Sequence, residues 1–134
     1  MEISEHVRTF LKNANPAVMA TVAKDGRPVA AATWYLLEDD GRVLINFDET
    51  RARLAHVRRE PRVALDVIDA ADWYTHASLQ LEITEIVDDP DHADIDRLST
   101  HYTGHPYADR SGHRVSARAE IRGLLTWGAL RTEA

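Results

Sequence analysis

The residues best suited to chemistry lie in one short stretch, NFDETRARLAHVRREP, residues 46–61. It follows directly on an apolar run, and with Arg62 just beyond it brings five arginines, Arg51, Arg53, Arg58, Arg59 and Arg62, within a dozen positions. Guanidinium groups are planar, permanently charged and fork-shaped, so they grip phosphate or carboxylate through paired hydrogen bonds. Asp48, Glu49 or Thr50 can each cap a helix that begins about there. Arg51 and Arg53 then fall in its first turn, beside backbone N–H groups that lack an intrahelical acceptor, and the combination makes a phosphate site. The competing reading is a solvated face paired with nearby acidic residues, and it suits the later Arg58, Arg59 and Arg62 better. Arginine in a first turn opposes the helix dipole, which weakens that reading for Arg51 and Arg53.

Other chemistries find less support. Seven histidines invite a metal, with His101 and His105 four apart. Gly104 and Pro106 interrupt the helix that would align this pair and no HExxH motif occurs, so no metal site is expected. The absence of cysteine removes disulfides, thiolate ligands and a thiol nucleophile. There is no GxSxG elbow, no GxGxxG fingerprint and no Walker-type phosphate loop. No side chain declares itself as acid, base or nucleophile, so an enzyme built on this chain would rely on a bound cofactor. Trp34, Tyr35, Trp73, Tyr74 and Trp127 lie in or beside strand-like runs, where they either wall a slot for a flat ring or fill a core or subunit interface.

The whole chain sets further limits. With 134 residues, 44% of them hydrophobic, it can bury one ordinary core, and a single domain over residues 1–134 is expected. A formal charge of −6 argues against nucleic acid or an anionic membrane as partner and leaves a small anion as the target of the local arginines. The N-terminal MEISEHVRTFLKN is too polar for a signal peptide, and no run approaches the roughly 20 apolar residues of a membrane span. A cytoplasmic protein is expected.

A mostly β chain must position these residues. Ile3, Val7, Phe10 and Leu11 fall at helical spacing before NANP stops the segment. AVMATVAKDGRPVAAATWYLL reads as two extended runs joined around Asp25-Gly26, and the turn EDDGR leads into VLINF, giving a three-stranded antiparallel meander. After the arginine-rich short helix, RVALDVI is a fourth strand, and YTHASLQLEITEIV alternates with Ala77, Leu79, Leu81 and Ile83 on one side. DDPDHADIDRLSTHYTG predicts a helix with Asp89 as N-cap, Pro90 at its first position, Ile95, Leu98 and Tyr102 as the buried stripe and Gly104 past its end. HRVSARAEI and GLLTWG supply two last strands. This order favours a small antiparallel barrel with flanking helices over a parallel sheet.

The stretch PAVMATVAKDGRPVAAATWYLLEDDGRVLINFDETRARLAHVRREPRVALDV resembles the first half of the split β-barrel flavin and deazaflavin oxidoreductases, the pyridoxamine 5′-phosphate oxidase-like superfamily. It is most similar to the branch that uses coenzyme F-420, an 8-hydroxy-5-deazaflavin. DGRP, a strand carrying TW, a DG turn, INF, the Thr/Arg segment ending in RREPRV, and later YTGHPY and the closing WG all fit. The resemblance implies an antiparallel, homodimeric split barrel with cofactors in grooves between subunits. It implies that Thr50, Arg51 and Arg53 hold the cofactor phosphate, that Thr33, Trp34, Asn46 and Phe47 lie along the ring, and that Leu54 and His56 complete the segment. Arg53 stands where relatives often have Lys and His56 where Asn is common; Gln80-Leu81-Glu82 replaces a Gly before a basic residue, so contacts there are expected to differ.

The activity so implied is hydride transfer from reduced F-420 to a small unsaturated or conjugated molecule, with no catalytic side chain assigned and Tyr102, Tyr107, His76 or solvent as proton source. Two alternatives stand beside it: an FMN-dependent oxidase or reductase on the same fold, and a flavin or deazaflavin carrier without turnover.

Overall fold

The two Asp-Gly turns are built alike. In each, a backbone N–H closes onto a carbonyl four residues on (Ala23 to Arg27, 2.8 Å; Glu38 to Arg42, 2.9 Å), and the aspartate accepts the N–H of the following arginine. Only the glycine takes positive φ, 88° at Gly26 and 89° at Gly41, so each is a type I turn followed by a glycine bulge.

A computed structural model describes residues 1–131. The elements in chain order are α1 (Glu5–Leu11), β1 (Ala17–Val22), β2 (Pro28–Ala32), β3 (Leu36–Leu37), β4 (Val43–Asp48), α2 (Ala52–Arg59), β5 (Arg62–Ile68), β6 (His76–Asp88), α3 (Ala93–Thr103) and β7 (Arg114–Trp127), then a 3-10 turn at Gly128–Leu130. All strands pair antiparallel in one seven-stranded sheet ordered β2-β1-β5-β6-β7-β4-β3. No helix among the described residues is long and apolar enough to cross a membrane.

The expected meander is not what forms. The run before EDDGR breaks at Thr33–Tyr35 into β2 and β3, which lie at opposite edges of the sheet, each in its own hairpin. In a flat sheet, six strand spacings of about 4.8 Å would separate those edges by roughly 29 Å. The four residue steps from Ala32 to Leu36 reach only about 14 Å. The sheet must therefore curl until its edges nearly meet, and the result is a split β-barrel. The two strands expected at the C-terminus are one, the 14-residue β7.

Burial follows the curl. Met19, Leu65, Leu79, Ala117, Ile45 and Phe47 point inward from successive strands, joined by Val7, Phe10 and Leu11 of α1 and Leu54 and Val57 of α2. β4 is buried on both faces, because Leu44 meets Ile95 and Leu98 of α3 in a second cluster on the barrel's outer side. This explains its unbroken apolar sequence. α3 starts at Ala93 and not at Pro90, since residues 90–92 form a turn that ends with His92 in the left-handed region (φ 59°). Asp89 still caps the helix from outside, its carboxylate accepting the N–H groups of Asp94 and Ile95, both at 3.0 Å.

Tyr35 fixes the crossover from within. Its side chain is 0% exposed, its hydroxyl donates to the Leu11 carbonyl (2.7 Å) and accepts from Asn15 Nδ2 (3.0 Å), and burial pushes the phenol pKa up. Replacing Tyr35 with Phe removes the donor to the Leu11 carbonyl and leaves Asn15 Nδ2 with the Phe10 carbonyl alone. The expected loss is about 1–3 kcal/mol of unfolding free energy, measured as a lowered urea midpoint with unchanged far-UV circular dichroism at rest.

Candidate functional site

A cleft of about 760 Å³ opens beside the split, where the crossover passes between β1, β4, β7 and α3. Its wall is aromatic. Trp34 stacks on Tyr102 at 5.5 Å between ring centroids and 13° between planes, and meets Tyr107 edge-on at 6.1 Å. Alternation through the crossover produces this wall, since Thr33 N–H is held by the Ala17 carbonyl (3.0 Å) and Tyr35 is turned inward. Trp34 is thus left facing out. The volume and the flat, mostly apolar lining suit a fused-ring ligand.

Arg53 and Arg114 bring positive charge to the same cleft. Arg53 rises from the first turn of α2, over the ring of the buried Phe47 at 5.6 Å. Burial, and then the neighbouring Arg51, push its pKa below the usual arginine value, and its Nη1 is buried without a hydrogen-bond partner among the described residues. A buried, unpartnered donor on a cation is costly unless an anion completes it. The helix end offers more donors. Arg51, and not an acidic residue or Thr50, occupies the N-cap and makes no side-chain cap bond. Asp48 instead accepts the N–H and the hydroxyl of Thr50 at 2.9 and 2.8 Å.

Beneath the cleft a polar ladder docks α3 on the sheet. Asn46, 7% exposed, donates through Nδ2 to Asp89 (3.2 Å) and Ser116 (3.1 Å) and accepts from Arg114 Nε (2.9 Å). Ser116 donates to Asp94 (2.7 Å), Arg118 bridges Asp94, Glu38 and Glu85, and Arg97 joins Glu38 to Asp94. Burial alone would raise the Asp94 carboxyl, but the Ser116 hydrogen bond, Arg118 and Arg97 together hold it below the ordinary range.

The residues singled out in the sequence separate accordingly. Thr33, Trp34, Asn46 and Arg53 line the cleft; Thr50 and Arg51 are exposed at the same helix end; Phe47 and Leu54 lie in the core behind it. His56 turns the other way, its ring 2.9 Å from the Thr21 hydroxyl. Of the other aromatics, Trp73 and Tyr74 are exposed and Trp127 stacks on His76 at 4.4 Å, outside the cleft lining. Gln80, Leu81 and Glu82 also stand apart from it. Tyr102 donates its hydroxyl to the Asn15 carbonyl (2.7 Å), and burial pushes its pKa up to about 12. Tyr107 is the cleft phenol whose hydroxyl makes no hydrogen bond among the described residues. Sequence reasoning missed Arg114, which stands at a strand start that carries no motif, and it had Tyr107 within YTGHPY without placing it in the aromatic wall.

Residues 3–128 match the family model described as pyridoxamine 5′-phosphate oxidase. Among solved structures, an F-420 reductase superposes with a TM-score of 0.81 at 25% identity, covering 92% of this chain and 98% of that one. A conserved hypothetical protein from Mycobacterium tuberculosis gives 0.75 at 26% identity, with 95% and 86% covered. A pyridoxamine 5′-phosphate oxidase-related, FMN-binding protein from Nostoc punctiforme shares the fold, at 0.64 and 13% identity over 92% and 84% of the two chains. No curated protein matches the sequence.

The Asp94 ladder makes stability depend on acid. A carboxylate whose folded pKa is depressed contributes fully above its unfolded value, about 3.9, and loses that contribution as pH falls through the folded value. Urea midpoints should show Asp94→Asn less stable than the wild type at pH 7, with the gap narrowing as pH drops below about 4.

Proposed function

The chain belongs to the pyridoxamine 5′-phosphate oxidase family, and on that premise we propose that it is an F-420-dependent reductase of a small unsaturated or conjugated molecule, working in the cytoplasm. One observation carries the reading: a half-buried arginine, Arg53, whose Nη1 is buried without a partner among the described residues, stands beside an uncapped helix end at a cleft with an aromatic wall. Support for the deazaflavin over FMN comes from the likeness to an F-420 reductase along almost the full length of both chains.

In this reading Arg53, with Arg51, Thr50 and the free N–H groups of α2, grips the cofactor phosphate. Thr33, Trp34, Asn46 and the backbone at Phe47 lie along the ring, Leu54 anchors α2 in the core, and His56 braces that helix against β1 through Thr21. The bound deazaflavin, when reduced, would supply a hydride from C5. The protein's own part is to hold ring and substrate face to face, keep water off the Trp34 wall and leave the Tyr107 hydroxyl or solvent to deliver a proton. Two copies are proposed to pair through the outer sheet face, where Ala30, Ala20 and Ala64 lie side by side on β2, β1 and β5 and Leu125 is 54% exposed.

Titration of the apoprotein should give F-420 an affinity at least about tenfold above FMN, roughly 1.4 kcal/mol. Equal or inverted affinities move the cofactor to FMN, and F-420 binding without oxidation of its reduced form across enones and quinones makes the protein a carrier. Arg53→Ala should weaken F-420 binding about ten- to hundredfold, for a charge-assisted hydrogen bond of about 1.5–3 kcal/mol. Arg59→Ala, at an exposed site, should stay within about twofold. Light scattering at low micromolar concentration should give twice the 15.1 kDa chain mass, and a monomer throughout would remove the pairing.

A further inference from the structure

Arg114 and Arg118 extend from the same side of β7, two alternations apart with Ser116 between them, yet they are treated oppositely. Arg118 is saturated, with Glu38, Glu85 and Asp94 all within salt-bridge distance. Among the described residues Arg114 has no salt bridge. The neighbouring carboxylates are hydrogen-bonded to other groups, Asp48 to Thr50 and Asp109 to the N–H and hydroxyl of Ser111 at 2.9 and 2.6 Å; those bonds first, and the field of Arg114 less, hold both carboxyls below the usual range, without an ion pair to Arg114. Its Nε alone is bound, to Asn46 Oδ1, and its guanidinium lies 5.1 Å from the centre of the Tyr107 ring. Asn46 cannot rotate away, because its Nδ2 is held by Asp89 and Ser116. One edge of the guanidinium is thus clamped and the terminal amino groups are left at the cleft.

The geometry points to Arg114 as a second anion-binding arm that takes an additional anionic group of the ligand, a carboxylate or a further phosphate, with Asn46 as its positioning residue. It is separate from the arm at Arg53, which comes from α2 and rests on a different ring, Phe47. A ligand with a single phosphate satisfies one arm. One that also carries carboxylates, as the glutamyl tail of F-420 does, satisfies both. Arg114 therefore sets which cofactor the cleft prefers, and this rests on the reading of the cleft as a cofactor site given above.

The test is calorimetric titration of the full chain and Arg114→Gln with F-420 and FMN at fixed ionic strength. The expected result is a ten- to hundredfold loss for F-420, a change within twofold for FMN, and a flatter salt dependence of F-420 binding. Arg53→Ala should weaken both ligands. Asn46→Ser should lower F-420 affinity more than FMN affinity in the wild-type background, and that difference between the cofactors should vanish in Arg114→Gln, which neither a merely structural role nor contact with the ring alone would produce. Arg114→Lys, which keeps the charge but loses the clamped fork, should fall between and serves if the glutamine variant does not fold by circular dichroism. Equal losses for the two cofactors, or none for F-420, overturn the second arm. If the wild type binds no F-420, the deazaflavin reading fails by itself, and tripolyphosphate read by tryptophan fluorescence then decides. An affinity lowered by Arg114→Gln upholds the arm, and identical titrations overturn it.

Discussion

Thr33–Tyr35 joins strands at opposite edges of a seven-stranded sheet, and a link that short leaves the sheet one option, to curl. Everything near the cleft depends on it. The same three residues alternate, so Tyr35 plugs the interior and ties down the end of α1 while Trp34 becomes the wall of the opening. Core and cleft are therefore rigidly coupled through a single peptide unit, and a change that loosens the Tyr35 anchor also tilts the ring on which a ligand would lie.

The second dependency is electrostatic. α3 packs Ile95 and Leu98 on β4, a small apolar contact, and the remaining alignment comes from the ladder that runs from Arg114 through Asn46, Ser116 and Asp94 to Arg118 and Glu38. Most of its members are partly buried and hydrogen-bonded more than once, which is the condition for an ionic network to hold one arrangement. An apolar interface of the same size would tolerate sliding. This one fixes where Tyr102 and Tyr107 stand.

Strand and helix identities were legible where a period was clean: β5 and the alternating inner face of β6 follow from Val63, Leu65, Val67 and from Ala77 to Ile83. Pairing was not, because two hairpins in succession and a meander have the same local pattern, and only the partners, β5 for β1 and β7 for β4, distinguish them. Arg53 was legible as a residue of the first helical turn because helix ends have their own chemistry, although the cap proved to be Arg51. Arg114 was illegible for the opposite reason. Its difference from Arg118 lies wholly in what the third dimension places opposite each, carboxylates in one case and open cleft in the other.

β7 pairs with both β6 and β4 and is the last strand of the described residues. During synthesis, the β3–β4 hairpin consequently waits without its long neighbour until β7 has been made, holding Leu44, Ile45 and Phe47 uncovered. Barrel closure must await β7, as the high sequence separation of its contacts requires. The nascent chain must be kept from associating with others through that hairpin. The cleft, too, is incomplete until then, since Arg114 arrives with β7.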